Sequence, residues 1–90
     1  MADTLVLLLD VRSEEEYAQG HIAGAINIPH SEILQSHQLP EDKSQVISVY
    51  CQMGGRAQTA SQFLEAMGYD NVTNLGGISD LLEAGFELEK

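Results

Sequence analysis

Short apolar runs alternate with helical patterns along the chain, and this alternation restricts the fold more than any other feature. Leu5–Val11 is apolar apart from Asp10, which is typical of a strand buried on both faces of a sheet. Further strands are predicted at Ala25–Ile28, Val46–Tyr50 and Val72–Leu75. Because short connections join strands and helices, the pattern predicts an α/β domain with a small, mainly parallel sheet flanked by helices.

Helices are predicted between these strands. Ser13 and Glu16 form a capping-box pattern, which predicts a short helix that ends at Gly20. Gly76 and Gly77 are predicted to turn the chain before the last helix. The other predicted helices alternate with the later strands and cover Ser31–Gln35, a segment from about Arg56 to Gly68, and Ser79–Ala84.

The charge of the chain is unusual. Fourteen acidic residues stand against four basic ones, which gives a net charge of −10. Such a charge repels polyanions, so neither nucleic acid nor an anionic membrane surface is expected as a partner. The apolar run that ends at Leu9 is far shorter than the roughly 20 residues of a membrane-spanning helix. The sequence therefore predicts small-molecule or protein partners rather than polyanions.

Cys51 is the only cysteine of the 90 residues, and this excludes several kinds of site. One cysteine can form neither an internal disulfide nor a zinc site built from several thiolates. The three histidines are scattered and lack the spacing of metal ligands. The sequence predicts no metal and no cofactor.

The segment Cys51–Arg56, called the Cys51 loop below, contains the strongest chemical signal. It follows the predicted strand Val46–Tyr50, and ligands bind at the carboxyl ends of parallel strands. Gly54 and Gly55 let the backbone curl, so that N–H groups at the start of the next helix point inward and bind an anion. These groups would favour the thiolate of Cys51, which is the nucleophilic form.

A buried cysteine that packs as a small apolar residue is the alternative interpretation of Cys51. The residues around it argue against that interpretation. Gln52, Gly54, Gly55 and Arg56 are not core residues, and core packing does not require a Gly-Gly-Arg run. A reactive thiol is therefore the favoured prediction from the residues alone.

Several motifs occur in a fixed order over nearly the whole chain. They are Asp10-Val11-Arg12, Glu16-Tyr17, Gly20-His21-Ile22-x-Gly24-Ala25-Ile26-Asn27-Ile28-Pro29, Tyr50-Cys51, Gly54, Arg56-Ala57, Gly68-Tyr69 and Asn74-Leu75-Gly76-Gly77-Ile78. Their order and spacing resemble the rhodanese-like (thiosulfate sulfurtransferase) domain family, and most of all its short phage shock protein E type. The resemblance implies one domain over residues 1–90 with a three-layer rhodanese-like fold. The type that it resembles is exported, so two compartments are open. The chain as given indicates the cytoplasm, and removal of a signal peptide would indicate the periplasm.

The resemblance also implies a reaction. Cys51 would take the sulfane sulfur of thiosulfate, become a persulfide and release sulfite. A thiophilic acceptor would then take the sulfur, either cyanide or a thiol such as thioredoxin or glutathione. The implied substrate-binding and active loop consists of Gln52, Met53, Gly54, Gly55 and Arg56.

The two arginines of the chain both lie in these motifs. Arg56 is predicted at the rim of the loop, where it can bind the sulfonate end of the donor. Arg12 follows the first strand and reaches the same edge of the sheet, where it either binds substrate or forms an ion pair with Asp10 or Glu14–Glu16. Asp10 is expected to support the loop or Arg12 rather than to transfer a proton, because an ionised Cys51 needs no general base.

Two other functions remain open at this point. Cysteine-dependent phosphatases and arsenate reductases place five residues between cysteine and arginine, whereas four residues separate Cys51 from Arg56. The shorter loop should fit a tetrahedral phosphoryl group poorly.

Some rhodanese-like domains are non-catalytic binding or regulatory modules, which commonly lack the cysteine or have a disrupted loop. This chain keeps Cys51, Gly54, Gly55 and Arg56, which favours an enzyme.

Overall fold

A parallel sheet of four strands forms the centre of the protein, whose computed structural model describes residues 6–90. In chain order its strands are β1 (Val6–Asp10), β3 (Ile26–Asn27), β4 (Val46–Cys51) and β5 (Val72–Gly77), and they lie in the spatial order β3-β1-β4-β5. A separate antiparallel pair joins β2 (His21–Ile22) to β6 (Leu88–Glu89). The predicted α/β architecture with a mainly parallel sheet is confirmed.

Three α-helices and one 3-10 helix flank the sheet. They are α1 (Glu14–Gln19), the 3-10 helix His30–Gln35, α2 (Gly55–Ala66) and α3 (Ile78–Glu83). The capping box predicted at the start of α1 is confirmed, because the Glu16 N–H donates to Ser13 Oγ and the Ser13 N–H donates to Glu16 Oε1. None of the helices in residues 6–90 is long and apolar enough to cross a membrane.

Strand β4 divides the core into two layers, because its successive side chains point to opposite faces of the sheet. Ile47, Val49 and Cys51 pack against α2 and the 3-10 helix. Tyr50 packs on the other face, with residues of β2 and α3 such as Ile22. The sheet therefore lies between two layers, and Cys51 ends its strand on the face covered by α2.

The first strand differs from its prediction. Val6 is 56% exposed, although the apolar run predicted burial on both faces. The reason is that β3 pairs only with Leu9 and Asp10, so the first half of β1 has a neighbouring strand on one side alone. Leu5 lies outside the described residues.

Four further features differ from the sequence-based expectation. The strand predicted at Ala25–Ile28 shortens to the two residues of β3, and Cys51 is the last residue of β4 rather than the first residue after it. Gly76 and Gly77 continue β5, where Gly77 pairs with Cys51, instead of turning the chain. The β2–β6 pair was not predicted at all.

Candidate active site

The thiol of Cys51 lies at the carboxyl end of β4, where the chain enters α2. The residue is 1% exposed. Its Sγ accepts a hydrogen bond from the Gly54 N–H at 2.9 Å and a second from the Ala57 N–H at 3.3 Å. Backbone donors that point at sulfur stabilise negative charge on it, and a helix N-terminus does the same. Negative charge on this sulfur would therefore be stabilised by two N–H groups.

Glycines determine the shape of the Cys51 loop. Gly54 precedes α2 with a φ of 102°, a left-handed conformation that residues with a Cβ rarely adopt. Gly77, at the end of β5, lies directly beneath the loop. A Cβ at Gly77 would come within 2.6 Å of the Gln52 carbonyl oxygen and 3.2 Å of the Met53 Cα. The loop therefore needs a glycine under it as well as one within it.

A pocket of about 300 Å³ opens beside the thiol. Its lining consists of Cys51, Gln52, Met53, Gly55 and Arg56. The side chain of Met53 is 90% exposed, so one wall of the pocket faces solvent. The structure brings these predicted loop residues together around a single opening, and Gly54 contributes its N–H to Sγ.

Arg56 forms an ion pair that the sequence analysis did not anticipate. Its two terminal nitrogens donate to the two carboxylate oxygens of Glu16, at 2.7 and 3.0 Å. Hydrogen bonds from Arg56, followed by those from Ser13, lower the pKa of Glu16 to about 2. The same pairing raises the pKa of Arg56. The arginine predicted to bind substrate thus already has an anionic partner.

Arg12 is buried and bound on several sides. Its Nη2 donates to Asp10 Oδ2 at 2.8 Å and to the Gly20 carbonyl at 2.7 Å, and its Nε contacts both Asp10 oxygens. Its Nη1 donates to the Gln52 side chain at 3.3 Å. Two roles were considered for Arg12, substrate binding and an ion pair, and the structure shows the ion pair with Asp10. This pair lies under the loop and reaches it through Gln52.

Tyr50 also belongs to this buried network, although the sequence predicted only its place at the end of a strand and in the Tyr50-Cys51 motif. Its hydroxyl donates to Asp10 Oδ2 at 2.7 Å and accepts from the Ile22 N–H at 2.9 Å. Burial raises the pKa of Tyr50, so the hydroxyl keeps its proton for Asp10. No local sequence signal marks this role, because a tyrosine at the end of a buried strand is equally typical of core packing.

Metal ligands are not grouped in the part of the chain that the structure describes. Across residues 6–90 no set of three or more His, Cys, Asp or Glu side chains could hold a metal ion. Beside the Cys51 thiol lie the backbone N–H groups of Gly54 and Ala57 and the guanidinium of Arg56.

Comparison with known proteins gives a consistent set of similarities. The protein-family model named rhodanese-like domain matches residues 1–84 of this chain. Thiosulfate sulfurtransferase PspE of Escherichia coli is 41% identical over 75 residues, covering 81% of this chain and 71% of the relative. The human thiosulfate:glutathione sulfurtransferase is 37% identical over 83 residues, covering 78% and 72%. A solved E. coli rhodanese with anions has a TM-score of 0.85 at 36% identity, covering 96% of this chain and 99% of its own.

Proposed function

This chain belongs to the rhodanese-like domain family, and from that premise we propose that it moves a sulfane sulfur through a persulfide on Cys51. The names of the relatives confirm the expectation of a rhodanese-type sulfurtransferase. Thiosulfate as donor, a thiophilic acceptor and the route of the sulfur are our proposal. The observation that carries it is the pair of N–H groups that point at Cys51 Sγ.

The first step is a displacement at sulfur. The Cys51 thiolate attacks the outer sulfur of thiosulfate, and a new S–S bond forms. The S–S bond of thiosulfate breaks, and sulfite leaves with its electron pair. We assign no general base to this step, because the N–H groups of Gly54 and Ala57 donate to the attacking sulfur and stabilise its negative charge.

The persulfide is the intermediate between the two steps. Its outer sulfur carries the negative charge and occupies the 300 Å³ pocket. The first N–H groups of a helix have no acceptor within the helix, and those of Gly55 and Arg56 belong to this first turn of α2. We assign them to the outer sulfur, where donors of fixed orientation stabilise charge without reorganising.

In the second step an acceptor attacks the outer sulfur and the Cys51 thiolate is regenerated. The exposed Met53 leaves the pocket open to cyanide or to a thiol such as glutathione or the active-site cysteine of thioredoxin. The name of the human relative, a thiosulfate:glutathione sulfurtransferase, supports a thiol acceptor.

The two arginine–carboxylate pairs receive different roles. Arg56 lines the pocket and is assigned to the sulfonate group of the donor. Arg12 and Asp10 are assigned as positioning residues, because Arg12 donates to the Gln52 side chain of the loop and Asp10 holds Arg12 in place. Neither Arg12 nor Asp10 is assigned a proton to transfer.

A kinetic experiment tests the proposal. With thiosulfate and cyanide, thiocyanate should form with parallel double-reciprocal plots, because sulfite leaves before the acceptor binds. Cys51→Ser should abolish thiocyanate formation, and nitrophenyl phosphate should not be hydrolysed. Thiocyanate formation that survives in Cys51→Ser would refute the mechanism. Nitrophenol release that depends on Cys51 would instead indicate a phosphatase.

A further inference from the structure

The chain has four Lys and Arg side chains, and their positions decide which of them can act at the Cys51 pocket. Lys43 lies 4.1 Å from the centre of the Tyr69 ring, and Lys90 is the last residue. Arg12 is buried against Asp10. Arg56 is the remaining basic residue, and among the residues that line the Cys51 pocket it has the only positively charged side chain.

Glu16 cancels this one positive charge. The pair is held by two hydrogen bonds of 2.7 and 3.0 Å, and each side chain is about one third exposed. Because the pKa of Glu16 is about 2, the carboxylate stays ionised throughout the neutral range, and pH does not release Arg56 there. The side chains around the thiol therefore contribute no net positive charge to the pocket.

The negative charge of Glu16 is not required for its other structural role. In the capping box, Glu16 Oε1 accepts from the Ser13 N–H at 3.0 Å. Glutamine completes a capping box as well as glutamate does, because its side-chain oxygen accepts the same hydrogen bond. Glu16→Gln therefore removes the charge beside Arg56 and keeps the helix start.

We infer that Glu16 determines the charge selectivity of the Cys51 pocket, disfavouring dianionic thiosulfate relative to sulfur donors with a single negative charge. Repulsion between the Glu16 carboxylate and a donor grows with the charge of the donor, and thiosulfate must also compete with Glu16 for Arg56. The inference deepens the proposed function and, as far as it concerns donors, rests on it. An organic thiosulfonate offers the same sulfane sulfur with one charge less. In this transfer a bond forms between Cys51 Sγ and the outer sulfur, the S–S bond of the thiosulfonate breaks, and a sulfinate leaves with the electron pair.

Alkylation of the single cysteine tests the electrostatic part without any sulfur transfer. The rate of Cys51 alkylation by iodoacetate, divided by the rate with iodoacetamide, compares the reactivity of the site towards an anion with its reactivity towards a neutral reagent. Glu16→Gln should raise this ratio about fivefold. Glu15→Gln is the matched control, because it removes one exposed charge from the same turn of α1, and it should leave the ratio nearly unchanged. Equal ratios in the two variants would overturn the inference.

Steady-state kinetics then test the donor preference. With cyanide as acceptor, Glu16→Gln should raise kcat/KM for thiosulfate relative to methanethiosulfonate about fivefold, mainly through a lower KM for thiosulfate. A ratio that stays constant or falls would overturn the inference and would make Glu16 a residue that orients Arg56. Thermal unfolding of both variants establishes that they are folded. If the unaltered protein forms no persulfide, the proposed function fails, while the alkylation ratio still decides the role of Glu16.

Discussion

Two arginine–carboxylate pairs are connected to the Cys51 loop, and they differ mainly in burial. The side chains of Arg12 and Asp10 are 5% and 0% exposed, whereas those of Arg56 and Glu16 are 34% and 32% exposed. The buried pair is enclosed by further partners, including the Tyr50 hydroxyl and a backbone carbonyl. The exposed pair borders the pocket of Cys51. The same kind of ion pair is thus enclosed by the fold in one case and lies beside the candidate site in the other.

The difference follows from solvation. An exposed ion pair adds little stability, because water screens it and both side chains lose freedom. Arg56 can therefore exchange Glu16 for an anion of the substrate at a cost of no more than about 1 kcal/mol. Removing one partner of a buried pair leaves an uncompensated charge, which is far more costly. Arg12 therefore cannot leave Asp10 to meet a substrate.

The largest expected effect is a difference in stability between two matched substitutions. Arg12→Met should lower the free energy of unfolding by about 3 kcal/mol or more, because it leaves Asp10 buried without its cation. Arg56→Met should lower it by less than about 1 kcal/mol. Urea unfolding of both variants measures the difference. Similar losses in the two variants would show that burial does not separate the pairs.

A second substitution tests the buried side of the loop without altering either arginine. Gly77→Ala places a Cβ about 2.6 Å from the Gln52 carbonyl oxygen, so the loop must shift. We expect a loss of about 1–3 kcal/mol in unfolding free energy and slower persulfide formation. Gly55→Ala is the stability control, since its Cβ meets nothing within 4 Å. A Gly77→Ala protein as stable as Gly55→Ala would contradict the close contact described here.

The smallest expected effect is the pH dependence of the stability that the exposed pair of Arg56 and Glu16 contributes. Because the pKa of Glu16 is lowered in the folded protein to about 2, its contribution to stability is present above the ordinary carboxyl value of 4.5. The contribution is lost as the pH falls from about 4.5 through 2. The difference in unfolding free energy between the unaltered protein and Glu16→Gln should be at most about 1 kcal/mol at pH 7, given the exposure of the pair. It should shrink towards pH 2, and a difference independent of pH would contradict the pairing.

Local patterns predicted the features that depend on neighbouring residues. The alternation of apolar runs and helical spacing located β4, α2 and β5, and the Ser13 capping box located α1. The position of Cys51 at a strand-to-helix junction followed from the same patterns, because ligand sites lie at the carboxyl ends of parallel strands.

Long-range contacts could not be predicted in the same way. Glu16 and Arg56 are 40 residues apart, and in a chain with 14 acids many carboxylates could have paired with that arginine. The β2–β6 pair joins two strands of two residues each, too short to produce an alternating pattern. Arg12 had several acidic neighbours in sequence, and only the packing selected Asp10 among them.

The central claim is that sulfur is carried by Cys51, and the mass of the intact protein tests it most directly. After incubation with thiosulfate and removal of small molecules, the protein should gain one sulfur atom, about 32 Da, and cyanide should then restore the original mass. Cys51→Ser, treated identically, should gain nothing, since Cys51 is the only thiol of the chain. An unchanged mass in the unaltered protein, or the same gain in Cys51→Ser, would contradict the account.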